Sequence, residues 1–404
     1  MAIVVQKYGG SSVATAEKIK NVAQRVGKVL DGGDQVVVVV SAMGDTTDDL
    51  IKLAGQVTSD PHPREMDVLL STGELVASTL LAMATKNLVY KAISLSGAQA
   101  GIKTDTTYRK ARIVKIETKR ILEELAEGQI VIVAGFQGIT DDMDVTTLGR
   151  GGSDTSAVAL AAALGARICE RLTDTDGIYS ADPRVVPEAF RLDEIGYEEM
   201  LELATYGNKV MQPRAIELAE LYNIPIRVAS SFNDNPGTLI HGGVSMEVRN
   251  KVRSVAYDMD VAKISVLGIP DKPGIAASIF VPLAKAGISV DTIVQNSSVN
   301  KIADLTFTVT KDQINEAMKV AKPIAKKLGA RDIIADSELG KVSIVGTGMQ
   351  NTPGFAAKMF ETLSANGINI ELISTSEIRI TCIIKESKVK EAVRVLHKAF
   401  EVEA

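Results

Sequence analysis

Residues 3–12, Ile3-Val4-Val5-Gln6-Lys7-Tyr8-Gly9-Gly10-Ser11-Ser12, pass from an apolar run into paired glycines just before a helical pattern that begins near Thr15. Strand, tight turn and helix in that order predict a phosphate cradle at the carboxyl end of a first strand. Adjacent glycines let backbone N–H groups turn toward an anion with no Cβ in the way. The helix start adds unpaired donors, and Lys7 adds a positive charge. Neither common nucleotide loop is present: the chain contains no G-x-x-x-x-G-K-[ST], and no G-x-G-x-x-G follows a strand.

Outward from this turn, strands and helices alternate. The pattern predicts strands at Ile3-Val5, Val36-Val40 and Gln129-Ala134, and helices over Thr15-Leu30, after Thr47, around Asp67-Thr85 and over Thr155-Leu164. Such alternation implies an α/β fold with a mostly parallel sheet covered on both faces. Five consecutive valines, Val36 to Val40, lack period-2 alternation, as a strand buried on both sides requires. Lys7, Ser41 and Gly135 then lie just past the carboxyl ends of strands, the edge where open α/β sheets bind ligands.

A second glycine-rich loop, Leu148-Gly149-Arg150-Gly151-Gly152-Ser153-Asp154-Thr155, leads into the alanine-rich stretch Ser156-Ala163. It predicts another anion site at a helix N-terminus. Arg150 suits a carboxylate, while Asp154 either caps the helix or orients a cation. The loop Leu172 to Arg184 is dense in turn formers and hydrogen-bonding side chains, suited to holding a nucleoside.

The turn cluster Asn233-Asp234-Asn235-Pro236-Gly237 and then Gly242-Gly243 set a domain boundary near residues 240–250. Beyond it the chain repeats with a register of 80 residues. Pro273-Gly274 matches Pro353-Gly354, Phe280 matches Phe360, Leu283 matches Leu363, and Gly287-Ile288 matches Gly367-Ile368. Each copy reads strand, helix, strand, strand, helix. The first adds a fourth strand near Arg331-Ala335, but the second reaches the end of the chain without one. Val252-Tyr257, ahead of the first copy, is expected to supply it.

The 404 residues are 46% hydrophobic and 24% charged, an ordinary globular composition. A net charge of −5, no Trp and 4% aromatic residues argue against nucleic acid as a partner. The opening residues carry no basic export signal, and no apolar run reads as a membrane span, so a cytoplasmic protein without a membrane partner is expected. Cys169 and Cys382 read as buried structural thiols. His62, His241 and His397 read as surface or loop residues, which leaves histidine chemistry out.

Six motifs in order, Lys7-Tyr8-Gly9-Gly10, Ser41 to Asp48, Ser71-Thr72-Gly73-Glu74, Gly149 to Thr155, Thr173 to Arg184 and Tyr206-Gly207-Asn208-Lys209, together resemble the aspartate kinases. These are the branch of the amino-acid kinase family that carries two ACT domains. The resemblance spans the whole chain and implies a three-layer α/β/α sandwich kinase domain over residues 1–245. It implies a linker and lent strand over 246–263, then two ferredoxin-like βαββαβ ACT domains over 264–336 and 337–404. Two departures stand out: Gln212 replaces a frequent histidine, and Arg171-Leu172 replaces the usual Ile-Tyr ahead of Thr173.

The resemblance also implies transfer of the γ-phosphoryl group of ATP, entering with Mg2+, to the β-carboxylate of L-aspartate. A carboxylate is already ionised at neutral pH, so such a nucleophile needs no general base and the protein has to align and neutralise two anions. By resemblance Lys7, Asp154 and Lys209 are catalytic, with no dedicated protein metal site. ATP falls to Lys7, Tyr8, Gly9, Gly10, Ser41, Thr173, Asp174, Tyr179, Asp182, Arg184 and Lys209, with Gly9 and Gly10 as N–H donors. Aspartate falls to Ser41, Thr47, Glu74, Arg150, Gly151, Gly152 and Ser153. Lysine and/or threonine, as feedback inhibitors, would use Asp271, Lys272, Pro273, Gly274, Ile275, Ala276, Gln295 and Asn296 of the first copy. In the second copy they would use Asn369, Ile370, Ser374, Thr375, Ser376 and Glu377. A homo-oligomer through the ACT domains is implied, at the entry to lysine, threonine and methionine synthesis.

Overall fold

The structure, a computed structural model, describes residues 1–208, 210–243, 252–297, 301–349 and 352–402. Its first half runs β1 (Ile3–Tyr8), α1 (Ala16–Asp31), β2 (Gln35–Val40), α2 (Thr46–Val57), α3 (Pro63–Asn87), β3 (Ala92–Leu95), β4 (Ile102–Thr104), β5 (Ile113–Ile116), α4 (Lys119–Ala126), β6 (Ile130–Ala134), β7 (Gln137–Ile139) and β8 (Val145–Thr147). There follow α5 (Gly152–Leu164), β9 (Ile168–Thr173), β10 (Glu194–Ile195), α6 (Tyr197–Thr205), α7 (Pro213–Leu221), β11 (Ile226–Ser230) and β12 (Thr238–Ile240).

The main sheet has the order β10-β12-β11-β9-β1-β2-β6-β3, with β1 parallel to β2 on one side and to β9 on the other. Its central strands are buried on both faces, and successive residues serve opposite cores. Val5, Val37, Val39, Val131, Val133 and Cys169 pack with α5. Tyr8, Val36, Val38, Val40, Ile130 and Ile132 pack on the other side with α1 and α3. The α5 face is therefore the one Lys7 and Arg171 share, two residues beyond Val5 and Cys169. A smaller sheet, β5-β4-β7-β8, leads into the second glycine-rich loop.

Helix α3 corrects one expectation: at 25 residues it is long and apolar enough to cross a membrane by length and composition. Half of its apolar window is buried, and its buried residues include Asp67, Ser71, Glu74 and Ser78, the pattern of a core helix that carries functional acids.

The tail runs β13 (Ser254–Pro270), α8 (Ile275–Lys285), β14 (Ile293–Ser297), β15 (Ile302–Val309), α9 (Ile314–Lys327), β16 (Asp332–Val345), α10 (Phe355–Ala365), β17 (Ile370–Thr375), β18 (Arg379–Lys385) and α11 (Val389–Ala399). All six strands form one sheet, β14-β15-β13-β16-β18-β17. Strand β13 serves both repeats: Ser254–Asp258 pair with Lys341–Val345, and Ala262–Pro270 pair with β15. The segment Val252-Tyr257 thus lies beside the second repeat, where a fourth strand was wanting. Residue 336, the expected end of the first ACT domain, falls inside the unbroken strand β16. The beginning of the expected linker, 246–251, lies outside the described residues.

Lys263–Glu371 at 2.8 Å and Lys341–Asp291 are among the ion pairs that cross between the repeats. Each of these two joins a lysine of a shared strand to an acid in the other repeat.

Candidate active site

Lys7 ends β1 on the α5 face, where the first turn of α5 brings Asp154. The Lys7 Nζ stands 2.5 Å from Asp154 Oδ1, and Arg171 Nε stands 3.1 Å from Asp154 Oδ2. Asp154 is therefore not the helix cap: that position belongs to Gly151, and no side chain caps the helix. Burial alone would raise the Asp154 carboxyl, but Arg171 and then Lys7 outweigh it and hold the group below its ordinary range. Burial pushes the Lys7 ammonium down; Asp154 opposes this and Arg171 adds to it.

The Gly9-Gly10 turn needs one correction. The Gly9 N–H donates to Leu172 O at 3.1 Å, tying the turn to β9, so only Gly10 of the pair keeps an amide for an anion. Tyr8, expected among the nucleotide residues, does not present its ring to this turn. That ring is fully buried beneath the sheet, with its hydroxyl 3.2 Å from Gln6 Oε1, because the residue after Lys7 must face the opposite core. Its carbonyl instead accepts from Ser41 N at 3.1 Å, joining the first two loops.

Glu74 comes up from α3 beneath the loop after β2. Its Oε1 accepts from Ala42 N at 3.1 Å, while Oε2 is buried with no hydrogen-bond partner among the described residues. Burial, opposed by the Ala42 N–H and more weakly by Lys7, pushes its carboxyl up to about 7. The helix reaches the loop because residue 73 is glycine: a Cβ there would lie 2.8 Å from Ala42 Cβ. Ser41 and Thr47 are half-buried beside it, and Ser153 is buried at the start of α5.

The second glycine-rich loop is set by residues that sequence reasoning passed over. Asp67 accepts from Thr147 N (2.9 Å), Thr147 Oγ1 (2.7 Å) and Arg109 N (2.8 Å), anchoring the strand that enters the loop. Arg214 donates to Leu148 O at 3.3 Å and Ala111 O at 3.1 Å. A charged residue at a position adjoining the apolar Met66 and Leu70 of the buried face of α3 was the available signal for Asp67. Gly151 has φ +70°, and a Cβ there would lie 1.8 Å from Gln212 Cγ, so Gln212, one of the two departures from the family pattern, packs over this loop. Arg150 is exposed and has no ion pair among the described residues, free to receive a carboxylate.

Beyond this cluster opens a cavity of about 760 Å³. Thr173, Asp174, Tyr179, Asp182 and Arg184, the expected nucleotide residues, all line it, and so does Arg171. Asp182 is forked by Arg184 (Nε 3.0 Å, Nη2 2.8 Å) and accepts from Tyr257 Oη at 3.0 Å. Residues 254–259 of β13 form the facing wall, so the strand shared by the ACT repeats also bounds this cavity. Lys209 lies outside the described residues; Gly207 and Asn208 before it line the cavity. No three His, Cys, Asp or Glu side chains converge as a metal site among the described residues.

His62 and His241 lie at element ends, as expected, but His397 does not: it is buried in α11, with Nε2 3.0 Å from Ser180 Oγ. Other ties join the ACT region to α6, including Thr347 to Glu199 and Arg379 Nε to Glu202 Oε2 at 2.8 Å, with the Arg379 guanidinium 3.7 Å from the Tyr206 ring centre. Of the expected effector residues, 271–274 connect β13 to α8, Ile275 and Ala276 open α8, and Gln295-Asn296 sit in β14. Ile370 and Ser374-Thr375 belong to β17, bracketed by Asn369, Ser376 and Glu377. As β14 and β17 are opposite edges of the sheet, one chain does not bring the two sets together.

Comparison with known proteins agrees with this architecture. A sequence model of the amino acid kinase family matches residues 2–230, and one of the ACT domain matches residues 264–322 and 342–400. An aspartate kinase of Stutzerimonas stutzeri is 49% identical over 405 residues, covering 100% of this chain and 98% of its own. The crystal structure of E. coli aspartokinase III with aspartate and ADP, in its R-state, superimposes with a TM-score of 0.84 at 25% identity, covering 99% of this chain and 100% of that one. The T-state of that enzyme with lysine and aspartate gives 0.76 at 25% identity, covering 98% and 99%.

Proposed function

The chain belongs to the aspartate kinases of the amino acid kinase family, with two ACT domains behind the kinase domain, and on this premise we propose how its residues carry the reaction. The γ-phosphoryl group of ATP passes to the β-carboxylate of L-aspartate, giving 4-phospho-L-aspartate and ADP. The observation that carries this reading is the buried Lys7–Asp154–Arg171 cluster at the edge of the cavity, net positive where transferred charge must be neutralised.

No residue has to remove a proton, because the acceptor is already an anion. Lys7 and Lys209 meet the phosphates, Gly10 donates its amide to them, and Asp154 orients the lysines. Thr173, Asp174, Tyr179, Asp182 and Arg184 hold the nucleotide. Asp174, a cavity-lining carboxylate with no ion pair among the described residues, would be available to an Mg2+ ion entering with ATP, which would supply further charge neutralisation. Arg150 pairs with a substrate carboxylate, and the unpartnered Glu74 Oε2 receives the α-ammonium. Ser41, Thr47, Gly151, Gly152 and Ser153 complete the aspartate pocket.

Lysine and/or threonine act as feedback inhibitors at the ACT domains, a reading supported by the lysine complex of E. coli aspartokinase III. Because the two sets of effector residues lie on opposite sheet edges, a homo-oligomer in which β14 of one chain meets β17 of another would complete the effector sites. The enzyme then stands at the entry to lysine, threonine and methionine synthesis in the cytoplasm.

The test is trapping with hydroxylamine. Incubation with ATP, Mg2+ and aspartate should yield aspartyl hydroxamate in step with ADP; ADP release without hydroxamate would mean ATP hydrolysis and contradict carboxyl transfer.

A further inference from the structure

We propose that Arg171 is a positioning residue for the transfer: it keeps hold of the buried Asp154 carboxylate while Lys7 leaves that carboxylate for the phosphates of the nucleotide. This rests on the reading that Lys7 meets the phosphates.

The register of the sheet creates the arrangement. Lys7 and Arg171 are directly opposed on the adjacent parallel strands β1 and β9, so both side chains leave the same face. Like charges in opposed positions repel, and burial sharpens the repulsion. The anion that relieves it is Asp154, whose two oxygens are divided between them: Oδ1 to Lys7 at 2.5 Å and Oδ2 to Arg171 at 3.1 Å. Side-chain exposures of 7% for Lys7, 5% for Asp154 and 14% for Arg171 keep water from substituting for either cation.

Were Lys7 the sole partner, its turn toward a phosphate would strand a buried carboxylate, and that penalty would hold the lysine back. With Arg171 on the other oxygen, Asp154 stays paired and Lys7 exchanges one oxyanion for another. Arg171 also lines the nucleotide cavity, and its Nη1 is buried without a hydrogen-bond partner among the described residues. A donor group therefore remains after Asp154 has been bound.

Among the described residues, the titratable and charged groups facing Arg171 around the cluster are Lys7 of β1, Cys169 of β9, Asp154 of α5 and Glu74 of α3. Burial keeps the Cys169 thiol neutral, and Glu170, which precedes Arg171, is occupied by Gln6 at 2.8 Å. Removing the charge of Arg171 should raise the pKa of Lys7, which sets the alkaline limb of activity. It should also raise that of Asp154, which sets the acid limb.

The experiment is the pH profile of kcat for the full-length enzyme and for Arg171→Met, with Arg171→Lys and Lys7→Ala measured alongside. Arg171→Met should lower kcat by about 10- to 100-fold, the scale expected when a reacting group is misplaced. Its KM for aspartate should change little, both limbs should move to higher pH, and Arg171→Lys should recover most of the rate. If Arg171→Met does not accumulate as folded protein, Arg171→Gln carries the same expectations. An unchanged kcat, or a loss of rate with both limbs in place, overturns the proposal, the latter by assigning Arg171 a purely structural part. Normal turnover by Lys7→Ala overturns the reading of Lys7 itself, which separates the two failures.

Discussion

Ser180 Oγ and His397 Nε2 lie 3.0 Å apart across 217 residues of sequence, joining the nucleotide loop to the last helix of the chain. The bond sits in a continuous apolar core in which Ala181, Val185 and Val186 pack with Val389, Val393 and Leu396. Arg394 Nε reinforces it by donating to Val185 O at 3.0 Å. The loop that lines the nucleotide cavity is therefore half built on the second ACT repeat.

His397→Ala should cost about 1–3 kcal/mol of stability by taking one buried partner from the Ser180 hydroxyl, which keeps only the Phe190 N–H at 3.1 Å. It should also raise the KM for ATP several-fold while leaving that for aspartate nearly unchanged, as steady-state kinetics and thermal melts would read. Burial lowers the His397 pKa from 6.5, so the unfolded chain binds the extra proton first. The contribution of this residue is present above pH 6.5 and is lost as the pH falls below it. The variant should lack that part of the acid sensitivity.

Lys7→Ala should lower kcat far more than it raises the KM for aspartate, because the best contact of the lysine forms in the transition state. Arg150→Ala should do the reverse and weaken aspartate binding. Near-normal turnover in the first, or an effect confined to ATP in the second, would contradict these assignments.

Glu74 predicts a pH dependence of substrate binding. With its carboxyl at about 7, the ligand-free site is largely protonated at pH 6, whereas the α-ammonium of aspartate needs the carboxylate. The KM for aspartate should therefore rise about tenfold between pH 8 and pH 6, and Glu74→Gln should flatten that dependence. For the empty fold the sign is opposite. A folded pKa raised from 4.5 gives stability that is full below 4.5 and lost as the pH rises through about 7, so thermal melts of the variant should gain at neutral pH.

Val255 tests the lent strand. It is 1% exposed, paired with Ile344 and packed in the core of the second repeat. Val255→Asp should destabilise that repeat by several kcal/mol, on the order of 3–5, because a carboxyl would be buried without a partner. Hydrogen exchange should locate the loss in β16, β18 and α11 and spare β14 and β15. Unchanged protection in β18 would mean that the strand contributes nothing to the second repeat.

Much of this architecture is legible in the sequence because it rests on periodicity. Five consecutive valines mark a strand with two covered faces, and these residues do divide between two cores. The repeat from Pro273-Gly274 to Pro353-Gly354 announces two copies of one unit. Less legible is what depends on register. Arg171 is one charged residue in a strand until pairing sets it opposite Lys7, and Asp154 looks like a helix cap until two cations claim it. The bond of the Gly9 amide and the placing of the Tyr8 ring are hidden for the same reason, since neighbouring strands and the alternation of faces decide which groups remain free. His397 carries no local mark of burial, because the loop that covers it is more than two hundred residues away.

The measurement that bears most directly on the central claim is coupled ADP release by the full-length protein with aspartate, glutamate or N-acetylglutamate, each with and without lysine and threonine. Rapid turnover with aspartate alone, suppressed by lysine, threonine or the two together, is the predicted result. Turnover on glutamate or N-acetylglutamate in place of aspartate, or on none of the three, would contradict it.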